Sequence, residues 1–94
     1  MYKNINSSEL RNMSSCNIID IRSIQKYNDG HILNAKNIPF DQIILFPYKY
    51  LDKESIYYIY CQKGNKSRYV CQILTNKGYN VVNINGGYEA WILY

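Results

Sequence analysis

Residues Ser55 to Ser67 read SIYYIYCQKGNKS, and within them the chain changes character at Cys61. The first half is apolar, β-branched and aromatic without strict polar alternation. That pattern belongs to a strand covered on both faces, and such strands are found in parallel sheets. At Cys61 the run breaks into a loop carrying two lysines, a glycine and an asparagine. Beyond it, residues 68 to 77 read as a helix: Ser67 is a candidate N-cap, Val70, Cys71 and Leu74 share a face, Lys77 lies in the last turn, and Gly78 follows as a C′ residue. Cys61 therefore falls at the carboxyl end of a parallel strand, where ligands of open α/β sheets collect.

Working outward, three more short segments have strand character: CNIIDI at 16–21, NIPF at 37–40 and VVNI at 81–84. Helix signals lie between them. Ser7 or Ser8 is placed to cap a helix through Met13, Ser23 one through Tyr27, and Asp41 a turn before Pro47. A last short helix is expected over 88–93 after the flexible pair Gly86-Gly87. Alternating strands and helices, without a repeat or linker, predict one α/β domain over 1–94, three layers deep, with right-handed crossovers.

Composition narrows the chemistry. The 94 residues carry 11 Lys and Arg against 7 Asp and Glu, a formal charge of +4, with the lysines scattered rather than clustered. This favours small anions over nucleic acid. With no apolar leader and no run of the length a membrane span needs, a cytoplasmic location and no membrane partner are the expectation. Cys16, Cys61 and Cys71 form an odd set with no C-x-x-C pair, and there is a single His. Neither a disulfide framework nor a zinc site fits; free thiols do.

Cysteine reacts as the thiolate, which needs stabilising surroundings near neutral pH. Gly64 and Asn65 tolerate positive φ, so the backbone after Cys61 is free to curl until successive N–H groups face one anion. The helix that follows aims its unpaired N–H groups at the same point, and Lys63 and Lys66 bring positive charge to the mouth. A cysteine at a strand end is ordinarily a small buried hydrophobe. Strand, cysteine, curled basic loop and capped helix in direct succession favour a reactive thiol. Cys71, on an apolar helix face, reads as core, and Cys16 as structural. His31 reads as a packing residue, Trp91 as closing the core, and the tyrosines as filler and surface.

Three blocks in order resemble the single-domain rhodanese-like sulfurtransferases. The first is IIDIRSIQKYNDGHILNAKNIP, with Asp20, Arg22, Gly30, His31, Ala35, Asn37 and Pro39 at patterned positions; the second is the Cys61–Ser67 loop; the third is GYNVVNINGGYEAW. The resemblance implies a five-stranded, essentially parallel sheet with Lys3 to Ile5 as an edge strand. It also implies a Cys61 persulfide that receives sulfur from a small anionic donor such as thiosulfate and yields it to cyanide, a thiol or a protein acceptor. Gln62, Lys63, Gly64, Asn65, Lys66 and Ser67 would form the substrate loop, Asp20 and Arg22 its support, and no metal or organic cofactor is required. Many members carry Arg where this chain has Gln62, which puts donor preference in question. Two other readings compete. One is a non-catalytic binding module of the same fold. The other is a phosphatase or arsenate reductase relative, which would need an Arg six positions after the cysteine, where this chain has Ser67 and only then Arg68.

Overall fold

The computed structural model describes residues 1–93. The chain runs β1 (Lys3–Ile5), α1 (Ser7–Arg11), β2 (Asn17–Asp20), α2 (Ile24–Asp29), β3 (Lys36–Asn37), α3 (Phe40–Leu45), α4 (Pro47–Tyr50), β4 (Ile56–Tyr60), α5 (Asn65–Asn76), β5 (Asn80–Ile84) and α6 (Gly87–Leu93). The strands form one sheet in the order β1-β5-β4-β2-β3, and every pairing is parallel. This is the expected α/β architecture, with Lys3–Ile5 at the edge.

Period-two alternation splits the core into two layers. Tyr57 and Ile59 of β4 join Ile19, Ile21, Val81 and the Val70, Cys71 and Leu74 stripe of α5 on one face. Tyr60 points the other way, to Leu10, Ile18, Ile32 and Ile84, with Tyr88 and Trp91 of α6 against them. β4 is thus apolar on both sides because it is covered on both sides. Burying an Ile such as Ile59, fully enclosed here, stabilises the fold by about 1.5–3 kcal/mol.

Several boundaries differ from the sequence expectation for local reasons. Asn6, not Ser7 or Ser8, is the N-cap of α1, and it forms a capping box with Glu9. β3 ends at Asn37 because Pro39 has no N–H to give; Ile38 and Phe40, on either side, still donate to Asp20 and Ile21 carbonyls at 2.9 and 3.0 Å. Pro39 also holds the N-cap position of α3, so Asp41 lies inside its first turn rather than capping it. Ser23 caps α2 as expected, accepting from the Lys26 N–H. α5 ends in a Schellman arrangement: Gly78 has φ 92°, its N–H donates to Thr75 O, and Tyr79 N–H donates to Leu74 O. No helix among the described residues is long and apolar enough to cross a membrane.

Candidate active site

β4 delivers Cys61 to the carboxyl edge of the sheet, and the backbone turns at once. Gly64 takes φ 107° and is the N-cap of α5, which therefore begins at Asn65, three residues before the expected start. Ser67 is consequently not a cap but a buried residue of the first turn, with its hydroxyl directed inward. The early start draws the helix amides close to the sulfur. Gly64 N–H donates to Cys61 Sγ at 3.1 Å, Ser67 N–H donates at 3.3 Å, and the thiol itself lies 3.5 Å from Ser67 Oγ. Two backbone donors thus converge on Sγ.

Cys61 is 5 % exposed and lies at the floor of a basin of about 600 Å³. One wall is apolar, made by Ile21, Pro39 and Phe40. The rim carries Lys63 and Lys66, both exposed, and across from them Lys26 of α2. Lys66 Nζ sits 5.5 Å from the centre of the Phe40 ring, a cation–π distance. Lys26 escaped the sequence reading because only the folding of α2 against the basin brings it there. Asn65 lines the basin as well, but its side-chain oxygen is taken by the Arg68 guanidinium at 2.6 Å.

Beneath the loop, Asp20 and Arg22 form a buried ion pair, Nη2 to Oδ2 at 2.7 Å, and the same carboxylate accepts the Tyr60 hydroxyl at 2.6 Å. The Arg22 Nη1 continues to Gln62 Oε1 at 3.0 Å, and Nη2 donates to the Gly30 carbonyl at 2.6 Å. Its guanidinium lies 4.3 Å from the Tyr88 ring centre. Burial alone would lower the Arg22 pKa, but the bond and attraction to Asp20 outweigh it and the pKa is raised. Tyr60 is pushed up by burial and by its bond to Asp20, so it stays a neutral donor. One tyrosine counted as filler is therefore the hinge between the ion pair and the sheet. Nothing in a Tyr-rich sequence singled it out.

From above, α6 clamps the same loop. Tyr88 N–H donates to Cys61 O at 2.9 Å and Glu89 N–H to Gln62 O at 3.1 Å, while Gln62 Nε2 reaches Glu89 Oε2 at 3.4 Å. A Cβ on Gly87 would stand 2.4 Å from Cys61 O, and Gly87 has φ 61°. Gly86-Gly87 is thus a close-packing device rather than a flexible hinge. Trp91 packs half-buried against the Leu10, Ile18 and Ile84 layer of the core, with the Arg11 guanidinium 3.7 Å from its ring centre. His31 stacks on Tyr27 at 3.7 Å and is exposed.

Residues 6–93 match the rhodanese-like domain family. The chain belongs to that family. It is 33% identical over 95 residues to a thiosulfate sulfurtransferase GlpE of Coxiella burnetii, covering 97% of this chain and 88% of that protein. A rhodanese-like domain protein of Staphylococcus aureus superposes with a TM-score of 0.86 at 35% identity, covering 95% of this chain and 90% of the other. The chain also matches, at 27% identity over 79% of its length, about a fifth of a longer Pyropia yezoensis protein whose name is "Probable molybdopterin-synthase adenylyltransferase". Sequences similar to this chain thus occur both as chains of about this size and as part of a longer protein.

Proposed function

We propose that this rhodanese-like domain is a sulfurtransferase working through Cys61. The observation that carries the reading is the pair of amides, Gly64 and Ser67, aimed at a cysteine sulfur on the floor of a lysine-rimmed basin. The Cys61 thiolate attacks the outer sulfur of an anionic donor such as thiosulfate; the S–S bond breaks and sulfite leaves with its electron pair. A persulfide remains on Cys61. A thiolate, cyanide or a cysteine of a protein acceptor then attacks the terminal sulfur and the Cys61 thiolate is released, so no redox cofactor enters. The two amides favour the anionic sulfur at both ends of the cycle, and the lysines favour the charged donor.

The GlpE relative supports thiosulfate as donor, and its name describes that reaction. Gln62 in place of the Arg of many members removes one charge from the floor, where its oxygen is held by Arg22 instead. A phosphatase reading loses support from Arg68, whose guanidinium is turned to Asn65. A purely docking role does not need a thiol in an amide cradle.

The test is intact mass after incubation with thiosulfate. The wild type is expected to gain one sulfur that cyanide removes, Cys61→Ser to gain none, and Cys71→Ser to gain it as the wild type does. No gain from thiosulfate or from any other sulfane donor would overturn the proposal.

A further inference from the structure

Behind the Cys61 sulfur the polar chain continues past Ser67. The Ser67 hydroxyl lies 2.6 Å from Asn83 Oδ1, 3.1 Å from the Gly64 carbonyl oxygen and 3.5 Å from Cys61 Sγ. A hydroxyl has one proton, so it serves one of these at a time. Asn83, on β5, is fully buried.

The orientation of the Asn83 amide is set from the far end of a row of asparagines. At the start of α1 the Asn6 N–H donates to Glu9 Oε1 at 3.0 Å, and capping-box geometry leaves the Asn6 side-chain oxygen on the side of the Glu9 N–H without a hydrogen bond to it. Asn85 must then present its NH₂ to Asn6 Oδ1, at 3.0 Å, and its own oxygen to Asn83 Nδ2, at 3.3 Å. The second Asn83 amide hydrogen goes to Asn4 Oδ1 on the edge strand, at 3.0 Å. Only the Asn83 carbonyl oxygen is left to face Ser67, and it is an acceptor.

We propose that Asn83 is a positioning residue that acts on Cys61 through Ser67, by competing with the sulfur for the one hydroxyl proton. With the proton on Asn83, the Ser67 lone pairs face Cys61, accept its S–H and favour the thiol; the sulfur then has two donors, the Gly64 and Ser67 amides. When the sulfur is anionic the hydroxyl turns to it as a third donor, leaving a buried acceptor on Asn83 unpaired. Asn83 thus holds back the anionic form until that rotation occurs. The inference concerns the thiol itself, and rests on the sulfur-transfer reading only for its consequence in turnover.

Asn83→Leu removes the acceptor at similar size, and the Asn4 and Asn85 oxygens it releases lie toward the exposed end of the row. The measurement is the iodoacetamide alkylation rate of Cys61 at pH 6, resolved by peptide mapping, with a thermal melt as a control on folding. Asn83→Leu is expected to raise the rate about three- to tenfold. In a Ser67→Ala background the same exchange is expected to leave the rate unchanged, because there is no proton to redirect. Arg22, Lys26 of α2, Asp41 of α3, Lys63 of the Cys61 loop and Lys66 of α5 face the basin in every variant, so their charges cancel from the comparison. Burial keeps Cys71 a thiol at this pH. An unchanged or slower rate in Asn83→Leu, or an equal rise in the Ser67→Ala background, would overturn the proposal. Should the Leu variant not fold, Asn83→Val suits a strand and likewise removes the acceptor; a rise in rate is expected, and none would overturn it. The readout involves no sulfur donor, so a failure of sulfur loading leaves it standing.

Discussion

Cys61 and Cys71 lie ten positions apart, are both buried, and belong to the same apolar cluster. Their surroundings nevertheless differ in kind. Cys61 sits where β4 ends, under two backbone N–H groups and a hydroxyl, at the floor of an open basin. Cys71 is one turn along α5 from Ser67, wholly enclosed among Val70, Leu74 and the sheet. Burial pushes its thiol up to about 12, with a smaller contribution from Cys61. Burial therefore does not distinguish the two cysteines; the backbone donors at Cys61 do.

The contrast depends on the frame that holds the Cys61 loop, and breaking that frame is expected to have the largest effect. Asp20→Ala would strip the buried Arg22 of its partner and the Tyr60 hydroxyl of its acceptor. Removing one member of a buried pair costs about 3–5 kcal/mol, so urea unfolding is expected to show a loss of that order. A loss below 1 kcal/mol would mean that the ion pair is not what fixes Gln62 and the loop.

The Cys71 side of the contrast is tested by alkali. Its folded pKa lies above the ordinary 9.0, so its contribution to stability is fully present below about pH 9 and falls as pH rises toward 12. One proton corresponds to a slope of about 1.4 kcal/mol per pH unit. Tyr60, raised for similar reasons, acts in the same direction. Cys71→Ala is expected to flatten the decline between about pH 9.5 and 11 by about one proton's slope, seen in denaturant midpoints across that range. Identical slopes would mean that burial does not hold the Cys71 proton.

A smaller effect is expected where α6 touches the loop. Gly87→Ala would push a methyl group into the Cys61 and Gln62 carbonyls at a φ that favours glycine. The fold has to yield there at a cost of about 1–3 kcal/mol, and the Tyr88 and Glu89 amides that hold these carbonyls move with it. Sulfur loading should fall more than melting temperature does. If both are unchanged, the clamp from α6 is not part of the site.

What the sequence disclosed divides along the same line. The apolar run of β4, the stripe on α5 and the Gly78 stop are local patterns, and they placed the sheet, Cys61 and the buried Cys71 correctly. The start of α5 was misplaced because Ser67 is a good N-cap type, while the left-handed turn at Gly64 had already begun the helix. Tyr60, Asn83, Lys26 and the packing role of Gly87 were not legible. Each acts through a partner far off in sequence, such as Asp20, Ser67 or Cys61, and no periodicity encodes such pairings. The Asp20–Arg22 pair was legible because its partners are two residues apart.

The smallest expected effect separates the cradle from its rim. Lys63 and Lys66 are exposed, so their attraction to a doubly charged donor is screened by solvent and salt. Exchanging both for Gln, which keeps part of the stem over Phe40, is expected to slow loading from thiosulfate by about three- to tenfold at low salt. At about 0.5 M salt, where charges are screened beyond about 4 Å, the difference should shrink below about twofold. Reaction of Cys61 with methyl methanethiosulfonate, an uncharged thiosulfonate that leaves CH3S on the sulfur and releases methanesulfinate, should be unaffected at either salt concentration. A deficit that ignores salt, or that appears equally with the uncharged reagent, would assign the two lysines to the shape of the basin rather than to its field. The buried amides at Gly64 and Ser67 would then be the main electrostatic feature distinguishing Cys61 from Cys71.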